Sequence, residues 1–258
     1  MTTEEIRLVK SAERSLRILE VLGEARGPMS VTELHKRTGY PRSSLHQLVH
    51  TMIAMNWIES ANDGAMVGIG SRALLVGTAY LDRDLALPHA IRTLEKVRTK
   101  TGYTAHYARL EGPSVIYLAT RESTAPHRAT SRVGRQLPAH ATALGKVLLA
   151  ELTAVEVSAV LPDDPLPPMT AHTVSRHADL MRELDATRKR GYAVEREQNT
   201  LGLGCVAVPV PYRIPATDAI SCSIPLARFT ELEIGLVTES LQEQVQLLTV
   251  KLREEGIR

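Results

Sequence analysis

Aromatic residues, cysteines and long apolar runs are all scarce in this sequence of 258 residues. With one Trp, one Phe and seven Tyr, aliphatic side chains must fill most of the core. Cys205 and Cys222 are too few for a disulfide framework in a chain of this length and indicate reduced thiols. The absence of an 18-residue apolar run disfavours a membrane span, and the start MTTEEIRLVK lacks a signal-peptide core. We therefore expect a cytoplasmic protein, long enough for two domains.

Acidic residues are missing from one segment near the N-terminus. The net charge is only +2, and residues 1–87 hold ten Lys or Arg and ten Asp or Glu. Between Leu34 and Ile58, however, there is no Asp or Glu, whereas six basic or imidazole side chains occur there: His35, Lys36, Arg37, Arg42, His46 and His50. Exposed helices usually carry both signs of charge, so this local pattern indicates a polyanionic partner.

The same segment has the start and stop signals of a helix-turn-helix. Residues 11–22 place Leu16, Leu19 and Leu22 at helical spacing and predict a first helix. Ser30, with an acid three residues later, predicts a capping box before a helix over 31–38. Gly39 suits the left-handed position after that helix, and a proline suits the first turn of a third helix over 41–55. Two helices joined by a tight glycine turn form a helix-turn-helix.

Two strand-like runs follow, WIES at 57–60 and AMVGIG at 65–70, on either side of the hairpin signal Asn62-Asp63-Gly64. This order of elements is that of a winged helix. If the third helix enters the major groove of double-stranded DNA, its N-terminal N–H groups face phosphates, and Gln47 has the geometry to read adenine. The predicted DNA-contacting residues are Ser30, Pro41, Arg42, Ser43, Ser44, His46, Gln47 and His50. The alternative is a solvated basic face on a packing helix.

Beyond the hairpin the pattern becomes mixed α/β. Residues 71–87 predict a connecting helix that ends before Pro88. Strands are predicted over 103–110, 114–120, 205–212 and 219–224, and helices over 89–101, 140–152, 175–190 and 230–253. The proline-rich run LPDDPLPPMT at 161–170 predicts a loop. The last helix is predicted to direct five side chains inward: Leu232, Leu236, Leu241, Val245 and Leu248.

Three weak motifs carry little chemistry. His46 and His50 are spaced to share a metal, but no further ligand lies nearby, so no metal site is predicted. GLGCVA at 202–207 fits a dinucleotide pattern, yet a strand and not a helix follows it, and HATALGKV at 140–147 lacks the first glycine and final hydroxyl of a phosphate loop. Cys205 reads as a buried thiol or, alternatively, as a nucleophile. We predict no cofactor and no catalytic residue.

With these segments in place, the chain closely resembles the IclR family of bacterial transcriptional regulators from about residue 9 to 254. The resemblance is carried in order by SAERSLRILEVL, SVTELHKRTGYPRSSLHQLVHTM, GRQLPAHATALGKVLLA, TRKRGYAVEREQNTLGLGCVAVPV and AISCSIP. It implies an α+β fold with a winged helix-turn-helix domain (residues 1–70), a linker helix (71–88) and a GAF-like α/β domain that binds a small effector (89–258). It also implies a homodimer, often assembled into a tetramer, on operator DNA.

The resemblance also implies a set of effector-binding residues: Leu137, Ala143, Leu144, Glu195, Cys205, Ser221 and Ser223. Three residues depart from the family pattern. Gln47 stands where an Arg is common in the recognition helix. Ala143-Leu144 replaces a Gly-Ala of members that bind very small keto acids, and Glu195 stands where Asp is usual.

A physical interpretation of these positions narrows the ligand. A helix that begins near Ala143 would offer free N–H groups to an anion or carbonyl. Ser221 and Ser223, two apart on one strand, would point to the same face. An ionised Glu195 accepts hydrogen bonds and suits a hydroxyl or N–H of the ligand. We therefore expect an effector-controlled DNA-binding regulator, a repressor, whose effector is a small organic acid or acyl derivative with an added donor, including an aromatic one. An enzyme using Cys205 and a DNA-binding architectural module without a ligand remain the alternatives.

Overall fold

The computed structural model describes residues 8–25, 27–61, 65–123 and 133–258, which form two compact units, Met1–Arg83 and Asp84–Arg258. In the described part of the first unit the elements are α1 (Lys10–Glu24), β1 (Met29–Ser30), α2 (Val31–Thr38), α3 (Arg42–Ala54), β2 (Ile58–Ala61), β3 (Met66–Ile69) and α4 (Ser71–Asp82). The strands form an antiparallel sheet in the order β1–β3–β2. The helix-turn-helix and the strands of the wing are confirmed, while the predicted turn at 62–64 lies outside the described residues.

Local capping explains the ends of α2. The Ser30 hydroxyl accepts a hydrogen bond from the Glu33 amide at 3.1 Å, as predicted. The Glu33 carboxylate, however, binds Arg37 at 3.1 Å, so the reciprocal half of the predicted capping box is replaced by an ion pair one turn further on. Gly39 ends the helix with φ 67°, a conformation that costs glycine little, and its N–H donates to the His35 carbonyl at 2.8 Å.

An aliphatic core holds the three helices and the wing together. The apolar spacing of α1 is only partly reflected in the core: Leu22 is buried and Leu19 packs against the core, but Leu16 is 62% exposed, and Ile18 and Val21 are buried as well. The buried apolar residues of this core are Ile18, Val21, Leu22, Met29, Leu34, Leu45, Val49, Met52, Ile58 and Val67. Leu45, Val49 and Met52 of α3 belong to it, as the apolar stripe predicts, and Leu48 is half-buried.

The predicted helix over 71–87 is wrong in its extent. Helix α4 ends at Asp82, and a new helix begins at Leu87 with Pro88 in its first turn, where a missing N–H costs nothing. Between them, the Asp84 carboxylate accepts hydrogen bonds from the amides of Ala86 at 3.0 Å and Leu87 at 3.2 Å. The proline therefore starts a helix here, although the sequence pattern predicts that it ends one.

The second unit is built on a six-stranded antiparallel sheet in the order β6–β5–β4–β9–β8–β7. Its described elements are α5 (Leu87–Thr101), β4 (Thr104–Glu111), β5 (Ser114–Arg121), β6 (Gln136–Pro138), α6 (Ala143–Leu149), α7 (Ala154–Val160), α8 (His177–Arg190), β7 (Ala193–Arg196), β8 (Leu203–Pro209), β9 (Asp218–Pro225) and α9 (Glu231–Glu254). Helices α5 and α9 pack on one face, and α6, backed by α8, packs on the other. The short elements β6, α7 and β7 are not predicted from the sequence.

The face direction of α9 is only partly as predicted. Leu241, Val245 and Leu248 are buried, but Leu232 is 75% exposed and Leu236 is 55% exposed. In the first two turns the buried residues are Ile234, two positions after Leu232, and Val237, one position after Leu236. A run of leucines at helical spacing is compatible with either face, and the packing against α5 and the sheet selects between them.

A buried ionic cluster fixes the α5–α9 face of the sheet. Asp218 is fully buried and accepts hydrogen bonds from Arg109 at 2.6 and 2.8 Å, from Tyr107 at 2.6 Å and from Tyr212. Arg109 also pairs with Asp84 at 2.7 Å. Burial alone would raise the pKa of Asp218, but the hydrogen bonds and charge of Arg109, with the two tyrosine hydroxyls, lower it overall.

No helix in the described ranges is both long and apolar enough to span a bilayer.

Candidate DNA-binding and effector sites

The outward face of α3 carries the residues predicted to contact DNA. Pro41 lies immediately before the helix and its carbonyl accepts from the Leu45 amide at 2.9 Å, so it caps the helix and is not its first residue. With 3.6 residues per turn, the side opposite the buried stripe presents exposed side chains: Arg42, Ser43, His46, Gln47 and His50. The structure therefore brings five of the predicted contacts onto one solvent-facing surface.

Two serines of the predicted set have local partners. The Ser44 hydroxyl is half-buried and donates to the Pro41 carbonyl at 3.0 Å. The oxygen of Ser30 accepts from the amide of residue 33, so this serine lies at the start of α2 and not on α3. The Ser30 hydroxyl still has its proton to donate to a phosphate, whereas Ser44 must give up its bond to the Pro41 carbonyl to do so.

The turn between α2 and α3 is held by its own contacts. His35 Nδ1 lies 2.7 Å from the Tyr40 carbonyl, and the Arg14 guanidinium stacks 5.1 Å above the Tyr40 ring. These contacts hold the turn in place and so constrain the orientation of α3 relative to α2. The concave surface between the two helices is lined by Val31, Thr32, His35, Arg42, Leu45 and His46.

Charge on this surface is of one sign. The first turn of α3 has no acidic residue, and among the described residues Arg42, His46 and His50 form no ion pair. A guanidinium without a carboxylate partner, next to the exposed N–H groups and positive dipole end of a helix, favours an anion.

The predicted effector residues lie on or against the α6 face of the six-stranded sheet. Strand pairing aligns Glu195 with Cys205, Cys205 with Ser223, and Ala207 with Ser221, which places these side chains on one face. Leu137 of β6 and the first two residues of α6, Ala143 and Leu144, are buried in the hydrophobic cluster that covers this face. Residues that are up to 86 positions apart in the sequence are therefore neighbours.

A row of polar side chains, which we call the polar row, crosses this face through five adjacent strands: Thr120, His106, Ser223, Cys205 and Glu195. Thr120 Oγ1 lies 3.2 Å from His106 Nδ1, and His106 Nε2 lies 3.2 Å from Ser223 Oγ. Ser223 Oγ is 3.5 Å from Cys205 Sγ, and strand pairing places Cys205 directly beside Glu195. The row is therefore continuous from β5 to β7.

Burial sets the protonation of the polar row. It lowers the pKa of His106 to about 4, with a smaller contribution from the charge of Arg135, so the imidazole is neutral near pH 7. Burial and the Glu195 charge raise the pKa of Cys205 well above its usual value. Burial also raises the pKa of Glu195, although hydrogen bonds from Cys205 and the Gln198 amide, and the charge of Lys146, oppose this. A protonated thiol is a poor nucleophile, which argues against the catalytic alternative for Cys205.

The start of α6 has fewer free N–H groups for a ligand than predicted. The Thr142 hydroxyl caps the helix by accepting from the Gly145 amide at 3.0 Å, and the Lys146 amide donates to the Thr142 carbonyl at 2.9 Å. These two N–H groups are therefore not free for a ligand. A Cβ at Gly145 would come within 2.2 Å of the backbone of Ala139, so only glycine allows this close approach.

Sequence reasoning missed several members of this site. His106 sits within YTAHYARL, whose two-residue alternation predicts that it shares a face with Ala108, but the pattern does not say which face of the sheet α6 covers. Tyr117 packs edge-on against His106, with ring centroids 5.2 Å apart. Behind Glu195, the buried amine of Lys146 contacts Glu183 and Gln198. These residues become neighbours because β4, β9 and β8, which are far apart in the sequence, pair side by side in the sheet.

A solvent-facing basic helix of a winged helix-turn-helix, carried by a chain with a covered polar face on a second domain, defines a DNA-binding transcriptional regulator. Residues 11–61 match the IclR helix-turn-helix domain, and residues 78–249 match the family model described as bacterial transcriptional regulator IclR C-terminal. The chain belongs to the IclR family.

Named relatives agree with this assignment. The chain is 32% identical over 237 residues to the transcriptional regulator XynR of Escherichia coli K12, covering 92% of this chain and 94% of XynR. It is 32% identical over 248 residues to the repressor IclR of the same organism, covering 93% and 89%. These relatives are regulators, and this protein is a transcriptional regulator and not an enzyme.

Among solved structures, an IclR homologue from Microbacterium hydrocarbonoxydans, complexed with 4-hydroxybenzoate, is 25% identical and superposes with a TM-score of 0.76. The match covers 95% of this chain and 99% of that one.

Proposed function

We propose that this protein is a repressor whose affinity for operator DNA is controlled by a small organic acid or acyl derivative bound over the polar row. The observation that carries the proposal is the polar row itself. A line of hydroxyl, imidazole, thiol and carboxylate groups is costly to bury and suits a polar ligand better than a hydrophobic core.

The DNA contacts follow from the exposed face of α3. Arg42 and Ser43 stand at the leading turn, where Arg42 reaches a phosphate or a guanine edge. In this placement His46, Gln47 and His50 would follow along the major groove, where the amide of Gln47 can pair with an adenine edge. Ser30, Pro41 and Ser44 flank this surface; the two serines contact phosphates, and the proline fixes the helix start.

The chemistry of the effector follows from the charges around the polar row. Arg135 is near enough for its charge to disfavour protonation of His106, which makes the β5–β6 end of the row attractive to an anion. At the opposite end, the Glu195 carboxylate would repel an anion and accept a hydrogen bond from the ligand. An acid with a donor at its far end fits this polarity. Leu137, Ala143, Leu144 and Tyr117 supply apolar surface, and 4-hydroxybenzoate, the ligand of the Microbacterium homologue, has these features.

Assembly is proposed to use the linker helix α4. None of its residues is buried, and its exposed large apolar side chains are Leu74, Leu75, Val76 and Tyr80. An exposed apolar patch of this kind marks a protein interface. A homodimer formed through α4, and a tetramer formed from two dimers, would present paired recognition helices to a palindromic operator. We keep the domain limits 1–70 and 89–258, with the linker 71–88 now divided between α4, a short connection and the start of α5.

Effector binding would shift the equilibrium between two placements of the paired winged helices. The change in operator affinity can only equal the difference in effector affinity between those placements. Fluorescence anisotropy with DNA from upstream of the neighbouring genes, with and without a panel of small carboxylic acids, tests this. We expect at least one acid to weaken DNA binding about tenfold, within the usual range of coupling.

The effector residues are tested by calorimetry with the acid that responds. The double variant Ser221→Ala plus Ser223→Ala should lose affinity for it, and unchanged affinity would remove the assignment. If no acid alters DNA binding, a module without a ligand is the better description.

A further inference from the structure

The outer face of α9 carries an apolar stripe that does not contribute to the core. The exposed large apolar side chains of this helix are Leu232, Leu236, Leu247 and Val250, which are between 51% and 75% exposed. With 3.6 residues per turn, these four positions fall within about 60° of one another around the helix axis and so form a single line. The opposite face of α9 packs against α5 and the sheet. An exposed apolar line of this kind marks a protein interface.

The stripe is symmetric about one point of the helix. Leu232 and Val250 lie nine residues before and after Leu241, and the midpoint of Leu236 and Leu247 is within half a residue of it. A contact between two copies of one chain across a two-fold axis requires this symmetry, because residue i meets residue j of the partner and j meets i. If two copies of α9 lie antiparallel with these midpoints together, Leu232 meets the partner's Val250 and Leu236 meets the partner's Leu247.

The C-terminal half of α9 offers space for the leucines of the N-terminal half. A concave surface of about 410 Å³ lies beside it. Its apolar lining residues are Val208, Pro209, Pro211, Val245 and Val250. In the antiparallel arrangement the partner's Leu232 lies over Val250, and the partner's Leu236 lies between Leu247 and Gln246, which also lines this surface. Apolar side chains that project from one half of the helix therefore face an apolar hollow beside the other half.

The charges at the two ends of the stripe favour the same arrangement. Glu231 and Lys251 are exposed, and each lies ten residues from Leu241, so the arrangement brings opposite charges together at both ends. Among the described residues Glu231 forms no ion pair, whereas Lys251 pairs with Glu255 of its own chain at 2.9 Å. The partner's Glu231 would therefore gain a cation that the isolated chain does not give it.

The like charges near the centre of the stripe are balanced by α5. Glu239 and Glu243 of both copies would approach the two-fold axis. Each copy also brings two lysines there, because Lys100 pairs with Glu243, and Lys96 lies about one turn earlier on α5, beside Leu247. Two acids and two lysines from each copy make the centre of the contact neutral.

We propose that α9 pairs with the α9 of a second copy of this chain, antiparallel and centred on Leu241, and that this contact joins two dimers into a tetramer. The inference rests on the proposed assembly through α4, and it deepens that assembly by naming the surface between dimers. Four apolar side chains from each copy make a small interface, so the contact is weak. We therefore expect dimers at low protein concentration and tetramers at high concentration.

Disulfide trapping tests the register of the two helices. Within one helix, positions 232 and 250 are about 27 Å apart, so Leu232→Cys plus Val250→Cys cannot form a disulfide inside one chain. Mild oxidation of this double variant at high concentration should give a covalent dimer on a non-reducing gel. Each single variant, and the wild type with its own Cys205 and Cys222, should remain monomeric on the gel. No covalent dimer from the double variant, or as much from a single variant, overturns the proposal.

Charge exchange tests the ends of the contact. Glu231→Lys and Lys251→Glu should each lower the tetramer fraction in sedimentation velocity, because each places like charges opposite each other. The two changes together should restore it. Since the two positions are about 30 Å apart within one helix, such a rescue requires a contact between copies. Single variants that match the wild type, or a double variant that stays dissociated, overturn the proposed register.

A third measurement uses the apolar stripe itself. Leu232→Arg plus Leu236→Arg should stay dimeric at concentrations at which the wild type forms tetramers, whereas Val155→Arg, at an exposed position of α7, should behave as the wild type. A wild type that remains dimeric over the whole concentration series overturns the proposal. Circular dichroism establishes that the variants fold.

The contact through α9 and the proposed function fail separately. Leu75→Arg alters the α4 contact, and disulfide trapping through positions 232 and 250 should persist when this change is added. Loss of trapping in that background overturns α9 as a contact in its own right. A failure to find an acid that alters DNA binding leaves the trapping result unchanged, because trapping is measured without an effector or DNA.

Discussion

Replacing Arg42 by Ala removes the exposed cation at the leading turn of the recognition helix. Arg42 forms no ion pair among the described residues and is not part of the buried core, so we expect the free energy of unfolding to change by less than about 0.5 kcal/mol. Any large loss of DNA affinity is then a loss of contact and not of folding.

The size of the expected change in the salt dependence of DNA affinity follows from counterion release. Each phosphate contact contributes about 0.9 to the slope of log affinity against log salt concentration. The proposed dimer would lose two contacts, so the slope should become shallower by about 1.8. Between 50 and 200 mM salt, the affinity of the wild type should therefore fall about 12-fold more than that of Arg42→Ala, a ratio obtained from that slope.

The assay is fluorescence anisotropy with operator DNA at four or more salt concentrations. Lys189→Ala is the matched control, because it removes one exposed positive charge from α8 of the second unit. The control should keep the wild-type slope. Equal slopes together with equal affinities for Arg42→Ala and the wild type would refute the placement of the leading turn of α3 against DNA. A weaker affinity with an unchanged slope would point to a base contact by Arg42 and not a phosphate contact.

Three further predictions address the fold and the assembly. Asp218→Ala should cost about 3–5 kcal/mol in urea unfolding, because it removes one of the two carboxylates that pair with Arg109 and leaves the hydroxyls of Tyr107 and Tyr212 without their acceptor. Because the pKa of Asp218 is lower in the folded than in the unfolded state, its contribution to stability is complete above the unfolded-state pKa. This contribution is lost as the pH falls through the folded-state pKa. A wild-type unfolding midpoint that does not change on acidification would contradict this. Gly145→Ala should lower stability by about 1–3 kcal/mol in the same assay through overpacking, and an unchanged midpoint would show that α6 moves freely. Leu75→Arg should shift the mass in analytical ultracentrifugation from dimer to monomer, whereas Val155→Arg, an equally exposed position on α7, should not.

The DNA-binding half could be predicted closely because its signals are local. A serine that caps α2, a glycine that ends it and a proline that precedes α3 each act within a few residues, so the sequence alone contains them. The missing acids between residues 34 and 58 likewise need no knowledge of distant contacts. Periodicity then indicated which side of α3 is buried, and Leu45, Val49 and Met52 are where it predicts.

The boundaries that failed are those where two local signals compete. Pro88 is compatible with the end of one helix or the first turn of another, and the Asp84 side chain, folded back onto the amides of Ala86 and Leu87, selects the second. Leu232 and Leu236 fit an inward stripe by spacing, yet the helix turns a different face to the sheet. Spacing gives the period of a helix, but only packing gives its phase.

The helix-turn-helix, its exposed cationic face and the family follow from the order of amino acids, because these depend on residues close together in the chain. The contact of His106 with Ser223 across 117 positions, and the continuation of the row through Cys205 and Glu195, arise only in the folded chain. The reason is physical: which strands become neighbours, and in which register, is set by hydrogen bonding between distant segments and by the burial of one whole face. That choice places a neutral imidazole in the middle of the row, within hydrogen-bond distance of hydroxyls on both neighbouring strands.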